Sequence, residues 1–210
     1  GIGYNAEKIQ KLFPDAPVKS WALLFDPSVL EKLKSCGVVL LDTASEVIPA
    51  MRAYLGKDPH EQGLGDLAET MTALEPLRPS YRYLHNVKQV QDLANGNICV
   101  AMGYVGGLAQ ARAAAATASR KRDIVVYVPE EGGLVNIDVM AIPADAPHPA
   151  NAHAFINFIL RADIIAEISN EVFFANAVPA ALPFVSPALR NDQAIYPPHN
   201  VRSKLFAAPP

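Results

Sequence analysis

"VKQVQDLANGNICVAMGYVGGLAQARAAAATAS", residues 87–119, changes its character twice within a short span. Its first part reads as a helix stopped by Asn95-Gly96, because glycine tolerates the left-handed conformation that closes a helix. "NICVAMGY" then reads as a buried strand, and an alanine-rich helix follows from Gly107. Helix, strand, helix with tight junctions is the grammar of an α/β layer. Working outward, the same alternation recurs. "GIGYN" is strand-like and leads into "AEKIQKLF", a helix closed by Pro14. "PSVLEKLKSC" is helical and ends at Gly37 before the strand "VVLLD". Asp42, Thr43 and Ser45 offer N-caps for the helix "EVIPAMRAYLG", which Gly56 terminates. "GDLAETMTALEPLRP" is a further helix, and "YRYLH" and "DIVVYVPE" are further strands. The sequence predicts an α/β protein with a largely buried sheet.

"LVNIDVMAIP", residues 134–143, reads as one more buried strand, with Asp138 in its interior. A carboxylate withdrawn from water costs several kcal/mol unless something pairs with it. Residues 149–172 then read as one long apolar helix.

The 210 residues suffice for one large domain or two small ones, and half of them are hydrophobic. The formal charge is −3, and the longest basic run is "RKR" at 120–122. Nucleic acid is therefore not expected as a partner, since phosphate binding needs a broad basic face. The longest apolar candidate for a bilayer span, "AHAFINFILRADIIAEI", is interrupted by Arg161 and Asp163. The chain opens on "GIGYN", without methionine or signal peptide, which reads as a processed product or a piece of something longer.

Motifs for catalysis are wanting. There is no GxSxG elbow, Walker A loop or GxGxxG fingerprint, and no nucleophile–base pair is visible. The glycine-rich "GYVGG" at 103–107 lacks a following Lys-Ser/Thr, so a tight turn is the better reading than a phosphate cradle. The histidines, His60, His85, His148, His153 and His199, show no metal spacing, and no cofactor is expected. Cys36 and Cys99 fit either one disulfide in an oxidising compartment or two buried thiols. Glu46 lies at the start of a helix, where the dipole favours an acid in any case. Asp138 has no such local reason. With Tyr104 and Phe174 at the ends of apolar segments, these carboxylates supply what an alkylammonium needs, an ion pair and an aromatic face.

"GIGYN", "LEKLKSCGV", "YLGKDP", "DLANGNICVAMGY", "PADA", "NFILRADIIAEIS", "VFFANA" and "IYPPHNVRSKLF" together resemble the periplasmic putrescine-binding proteins of bacterial polyamine ABC transporters. The resemblance runs in order over nearly the whole chain. It implies a type II periplasmic-binding-protein fold, in which two α/β lobes close on a polyamine that is passed to a membrane permease. It further implies a Cys36–Cys99 bridge, Glu46 and Asp138 as ligand-facing acids, and Tyr104 where the family carries a tryptophan. Three positions depart from the family pattern. Gly107 replaces an amine-binding aspartate, Asn136 replaces an aromatic residue, and Phe174 replaces a tyrosine. Restoring Gly107→Asp is expected to raise putrescine affinity in a two-lobed protein.

The resemblance also implies a first lobe ahead of "GIGYN" and a final segment beyond "SKLF". Residues 1–131 would then form the core of the second lobe, 132–176 would be the crossover that completes the first, and 177–210 would return to the second. A strand at 135–142 and an apolar helix at 149–172 without that lobe need cover. A separate first-lobe fragment, packing on their own lobe, or exchange of segments between two copies would each provide it. The expected function is a periplasmic solute-binding protein without catalysis; the alternative is a scaffold lobe that has lost polyamine affinity.

Overall fold

Short apolar strands separated by capped helices make up most of the chain. The computed structural model describes residues 1–61 and 63–207. Strand β1 (Ile2–Asn5) is buried throughout, and the Asn5 side chain then caps α1 (Ala6–Leu12) by accepting from the Lys8 N–H at 2.9 Å. That bond satisfies one of the unpaired donors at a helix start. After α2 (Ala22–Phe25), Asp26 does the same for α3 (Pro27–Leu33), accepting from the N–H groups of Ser28 and Val29. Gly37, at φ +94°, turns the chain into β2 (Val38–Leu40). Next come α4 (Ala44–Tyr54), α5 (Leu64–Leu74), a 3-10 turn at Glu75–Ser80 and β3 (Tyr81–Leu84). Helix α6 (Lys88–Asn95) stops at Gly96 in the left-handed conformation, as its Asn-Gly ending predicts. β4 (Val100–Met102), α7 (Val105–Thr117) and β5 (Ile124–Tyr127) follow.

The five strands lie in the order β3-β2-β4-β1-β5, with β2 parallel to β3 and β4, and β1 antiparallel to β4 and β5. Alternation along the strands divides the core. Ile2, Tyr4, Val38, Leu40, Val100 and Met102 face a cluster containing Trp21, Phe25, Leu30 and Leu33. Val39, Ala101, Ile124 and Val126 face Leu93, Leu108, Ala111 and Ala115 of α6 and α7. A Cβ on Gly3 would stand 2.9 Å from a Leu93 methyl and 3.0 Å from a Leu108 methyl, so "GIG" lets those helices lie close on the sheet. The α/β reading with both sheet faces covered is met, and Ala109, Ala111 and Ala115 of α7 pack closely, while Ala113, Ala114 and Ala116 face outward. Cys36 and Cys99 are bridged, with Cα atoms 5.6 Å apart, which resolves the two alternatives in favour of the disulfide.

The stretch after β5 departs from expectation. β6 (Leu134–Val135) is only two residues long and pairs in parallel with β7 (Phe206–Ala207) near the other end of the chain. Residues 136–143 form no strand, and Ile137 and Val139 are 74% and 83% exposed. A buried strand through Asp138 is thus not present: beyond Val135 no strand among the described residues takes up the backbone donors and acceptors. The single helix expected over 149–172 is two, α8 (Pro149–Ile159) and α9 (Ala162–Val172). Arg161 between them is extended at ψ 137°, and its guanidinium reaches Asp163 in the first turn of α9 at 2.8 Å. Helix α8 buries none of its residues, with Phe155 and Phe158 half exposed or more.

Helix α9 packs instead on this lobe. Ala166 lies against Ala109 of α7 and against Ala181, Val185 and Leu189 of the segment running through a 3-10 turn (Pro179–Phe184) and α10 (Pro187–Arg190). The pair Arg112–Asp192 ties that segment to α7, and α11 (His199–Arg202) leads to β7. Among the described residues no helix is long and apolar enough to cross a membrane.

Candidate functional site

Because β2 and β4 are neighbouring parallel strands, the helices that follow them start at the same edge of the sheet. In open α/β sheets, ligands bind in the crevice beyond the carboxyl ends of the strands. Glu46 lies in the first turn of α4, and Tyr104 is the residue that precedes and caps α7. The Tyr104 hydroxyl donates to Glu46 Oε1 at 3.3 Å, and the Asn136 amide donates to the same oxygen at 2.9 Å. Glu46 is 9% exposed, so its carboxylate is held by these two partners in a largely desolvated setting. It stands in the first turn of α4, where the dipole favours an acid, but among the described residues no backbone N–H donates to it. The capping reading of Glu46 is therefore set aside.

Asp138 lies two residues beyond Asn136, on the exposed extended segment. The Tyr104 hydroxyl is pushed above its ordinary pKa, first by burial, then by the charge of Glu46 and the hydrogen bond to it, and last by the charge of Asp138.

Phe174 approaches from α9. The preceding Phe173 closes that helix at φ +63°, which swings the chain back toward α7. The Phe174 ring lies directly on Gly106, so closely that a Cβ there would overlap it. Gly107 occupies the next position of α7 but does not face the ring; a Cβ there would meet Val90 of α6 at 3.3 Å. Tyr104 and Asn136 therefore both contact Glu46, Asp138 makes no hydrogen bond or ion pair to them among the described residues, and Phe174 sits on the adjoining first turn of α7. Gly106 was read only as part of a tight turn in "GYVGG"; the structure makes it the second residue of α7, under the Phe174 ring.

A separate cavity of about 370 Å³ lies between α4 and the α5–β3 connection, lined by Leu41, Val47, Met71, Leu74 and Arg78 among others. None of Glu46, Tyr104 or Asn136 lines it. Among the described residues no group of three His, Cys, Asp or Glu side chains converges as a metal site.

Comparison with known proteins bears on this geometry. The chain is 46% identical over 208 residues to the putrescine-binding periplasmic protein PotF of Escherichia coli, covering 98% of this chain and 56% of PotF. It is 44% identical over 210 residues to the putrescine-binding periplasmic protein SpuD of Pseudomonas aeruginosa, covering all of this chain and 57% of SpuD. The chain thus spans about half the length of these curated relatives. In three dimensions it matches the spermidine/putrescine ABC transporter substrate-binding protein PotD of Streptococcus pneumoniae with a TM-score of 0.79 at 22% identity, over all of this chain and 60% of that one. That likeness supports the type II periplasmic-binding-protein fold, represented here mainly by one lobe. The family model for bacterial extracellular solute-binding proteins matches residues 1–200. The chain belongs to the bacterial extracellular solute-binding protein family.

Proposed function

We propose that this chain is the larger part of one lobe of a periplasmic binding protein for putrescine or a related cationic amine, which delivers its ligand to an ABC transporter permease. The observation that carries the reading is the largely buried Glu46 carboxylate, set against the Tyr104 phenol. An alkylammonium needs a desolvated acid and an aromatic face. Glu46 would pair with one ammonium, Asp138 would supply a second negative charge, and Tyr104 and Phe174 would form aromatic walls. Asn136 would line the same site. Gly107 would contribute only space, since its position faces Val90. The names of PotF and SpuD support the amine, and the Cys36–Cys99 bridge suits an oxidising compartment such as the periplasm.

Binding would couple to closure of two lobes, with the closed form read by the permease. Residues 1–131 would be the core of the second lobe, 132–176 the crossover and 177–210 the return. Within the crossover, the exposed run from Asn136 through α8 would pass to the first lobe, while α9 packs here. The additional length of the relatives favours cover by such a lobe over exchange of segments between two copies. The ligand would leave chemically unchanged, with no catalysis.

A thermal-shift titration with putrescine, cadaverine, agmatine and spermidine tests this on the protein containing residues 1–210. Ligand present at 100 times Kd stabilises the folded state by about 2.7 kcal/mol, a rise of several degrees in a domain of this kind. Glu46→Gln should abolish the rise. No shift with any amine at millimolar concentration would overturn the reading and favour a scaffold lobe without ligand.

A further inference from the structure

We infer that Asn136 determines which kind of cationic head group Glu46 accepts, favouring a primary ammonium over a guanidinium. The inference rests on the amine-binding reading above. An ionised carboxylate oxygen accepts through two lone pairs. Both on Glu46 Oε1 are in use, one by the Asn136 amide at 2.9 Å and one by the Tyr104 hydroxyl at 3.3 Å. Oε2 receives no hydrogen bond from the described residues. It is also not among the fully buried, unpartnered side-chain atoms, so it opens to solvent. Glu46 therefore presents a single free oxygen.

The two head groups differ in how they meet a carboxylate. A guanidinium is a planar fork whose two parallel N–H bonds engage both oxygens at once. An ammonium is a compact charge with three rotatable donors, and one oxygen in one direction satisfies it. With Oε1 filled, the fork loses one prong and must either displace the Asn136 amide or bind through one bond. The ammonium loses nothing. Asn136 is also the one replaceable partner. It sits on the exposed segment just past β6 rather than in the core, and its side chain reaches Glu46 across a separation of 90 residues. Removing its amide would return one lone pair on Oε1 while leaving the Tyr104 bond in place.

The test compares two ligands with the same four-carbon spacer, putrescine and 1,4-diguanidinobutane, so that whichever end meets Glu46 is of known type. Calorimetric titrations are run on the protein containing residues 1–210 and on its Asn136→Ala and Asn136→Leu variants. Leucine keeps the bulk of asparagine without a donor, so agreement between the variants separates the bond from the volume. The original protein should prefer putrescine. Both variants should shift the affinity ratio toward the diguanidine by on the order of ten-fold, the gain of about one charge-assisted hydrogen bond. An unchanged ratio with putrescine still bound, or no diguanidine binding to any of the three proteins, overturns the role of Asn136 and leaves the amine site standing. Failure of both ligands to bind anywhere removes the amine site and this inference with it.

Discussion

Opening the Cys36–Cys99 bridge should cost this lobe more than any local contact around it. The bridged residues are 63 apart in sequence, and in the chain-entropy model a loop of that length restricts the unfolded state by about 4 kcal/mol. The native state has little reason to move when the bridge opens. The Cys99 N–H donates to the Gly37 carbonyl at 2.9 Å, and β2 and β4 pair through Val38 and Val100 on their own. The cost therefore falls mainly on the unfolded ensemble, which expands once released. For a urea slope of about 2–3 kcal/mol/M, the midpoint should fall by roughly 1.5–2 M, and the slope itself should rise because more surface is exposed. Trp21 reports the transition: it is the chain's one tryptophan, 1% exposed and stacked on Phe25 at 5.8 Å. Urea melts of the oxidised protein, of the same protein refolded in dithiothreitol, and of a Cys36→Ala/Cys99→Ala variant give the comparison. A midpoint that moves by less than about 0.3 M in both reduced forms, outside the usual extrapolation error, would refute the reasoning.

Three further perturbations test the lobe and its site. Gly106→Ala places a methyl group where the Phe174 ring lies, so putrescine affinity should fall by about ten-fold while the melting temperature holds; unchanged affinity would remove Phe174 from the site. Gly132→Ala meets both a φ of +104° and the Lys204 carbonyl, next to the carbonyl that accepts from the Trp21 indole at 2.8 Å. It should lose about 1–3 kcal/mol, and a thermal melt identical to that of the original protein would contradict the described turn. Asp92 is held below the usual carboxylate range, first by the Tyr83 hydroxyl at 2.6 Å and next by Asn97. A depressed carboxylate stabilises the fold above its unfolded pKa of about 4 and loses that contribution as pH falls through its folded value. Tyr83→Phe should therefore flatten the acid limb of a stability-versus-pH curve, and an unaltered limb would show that the bond carries no linkage.

Residues 1–127 were largely legible in the sequence because their boundaries are written in local chemistry. Gly37 and Gly96 supply left-handed turns, and the strand residues alternate between two helix-covered faces. Each of these signals acts within a few residues, so it survives without knowledge of the fold. Of the expected caps Asp42, Thr43 and Ser45, only Thr43 takes the N-cap position of α4, without a side-chain bond, and the caps Asn5 and Asp26 were not read from the sequence. Glu46 and Tyr104 were legible as candidate ligand-facing residues, but no pattern in the chain announces the hydrogen bond between them.

"LVNIDVMAIP" marks the limit. Val135, Ile137, Val139 and Ala141 alternate as a strand should, yet a strand exists only where another strand accepts its hydrogen bonds, and past Val135 none does among the described residues. Asp138 accordingly stands in solvent rather than in the interior of a strand. The same holds for Asn136, which the family resemblance marks as a departure from an aromatic residue and which folding turns into a donor for Glu46, 90 residues away. Hydrophobic period and capping residues are properties of neighbours along the chain. Which lone pair of a carboxylate is already taken depends on residues that only the packed lobe brings together.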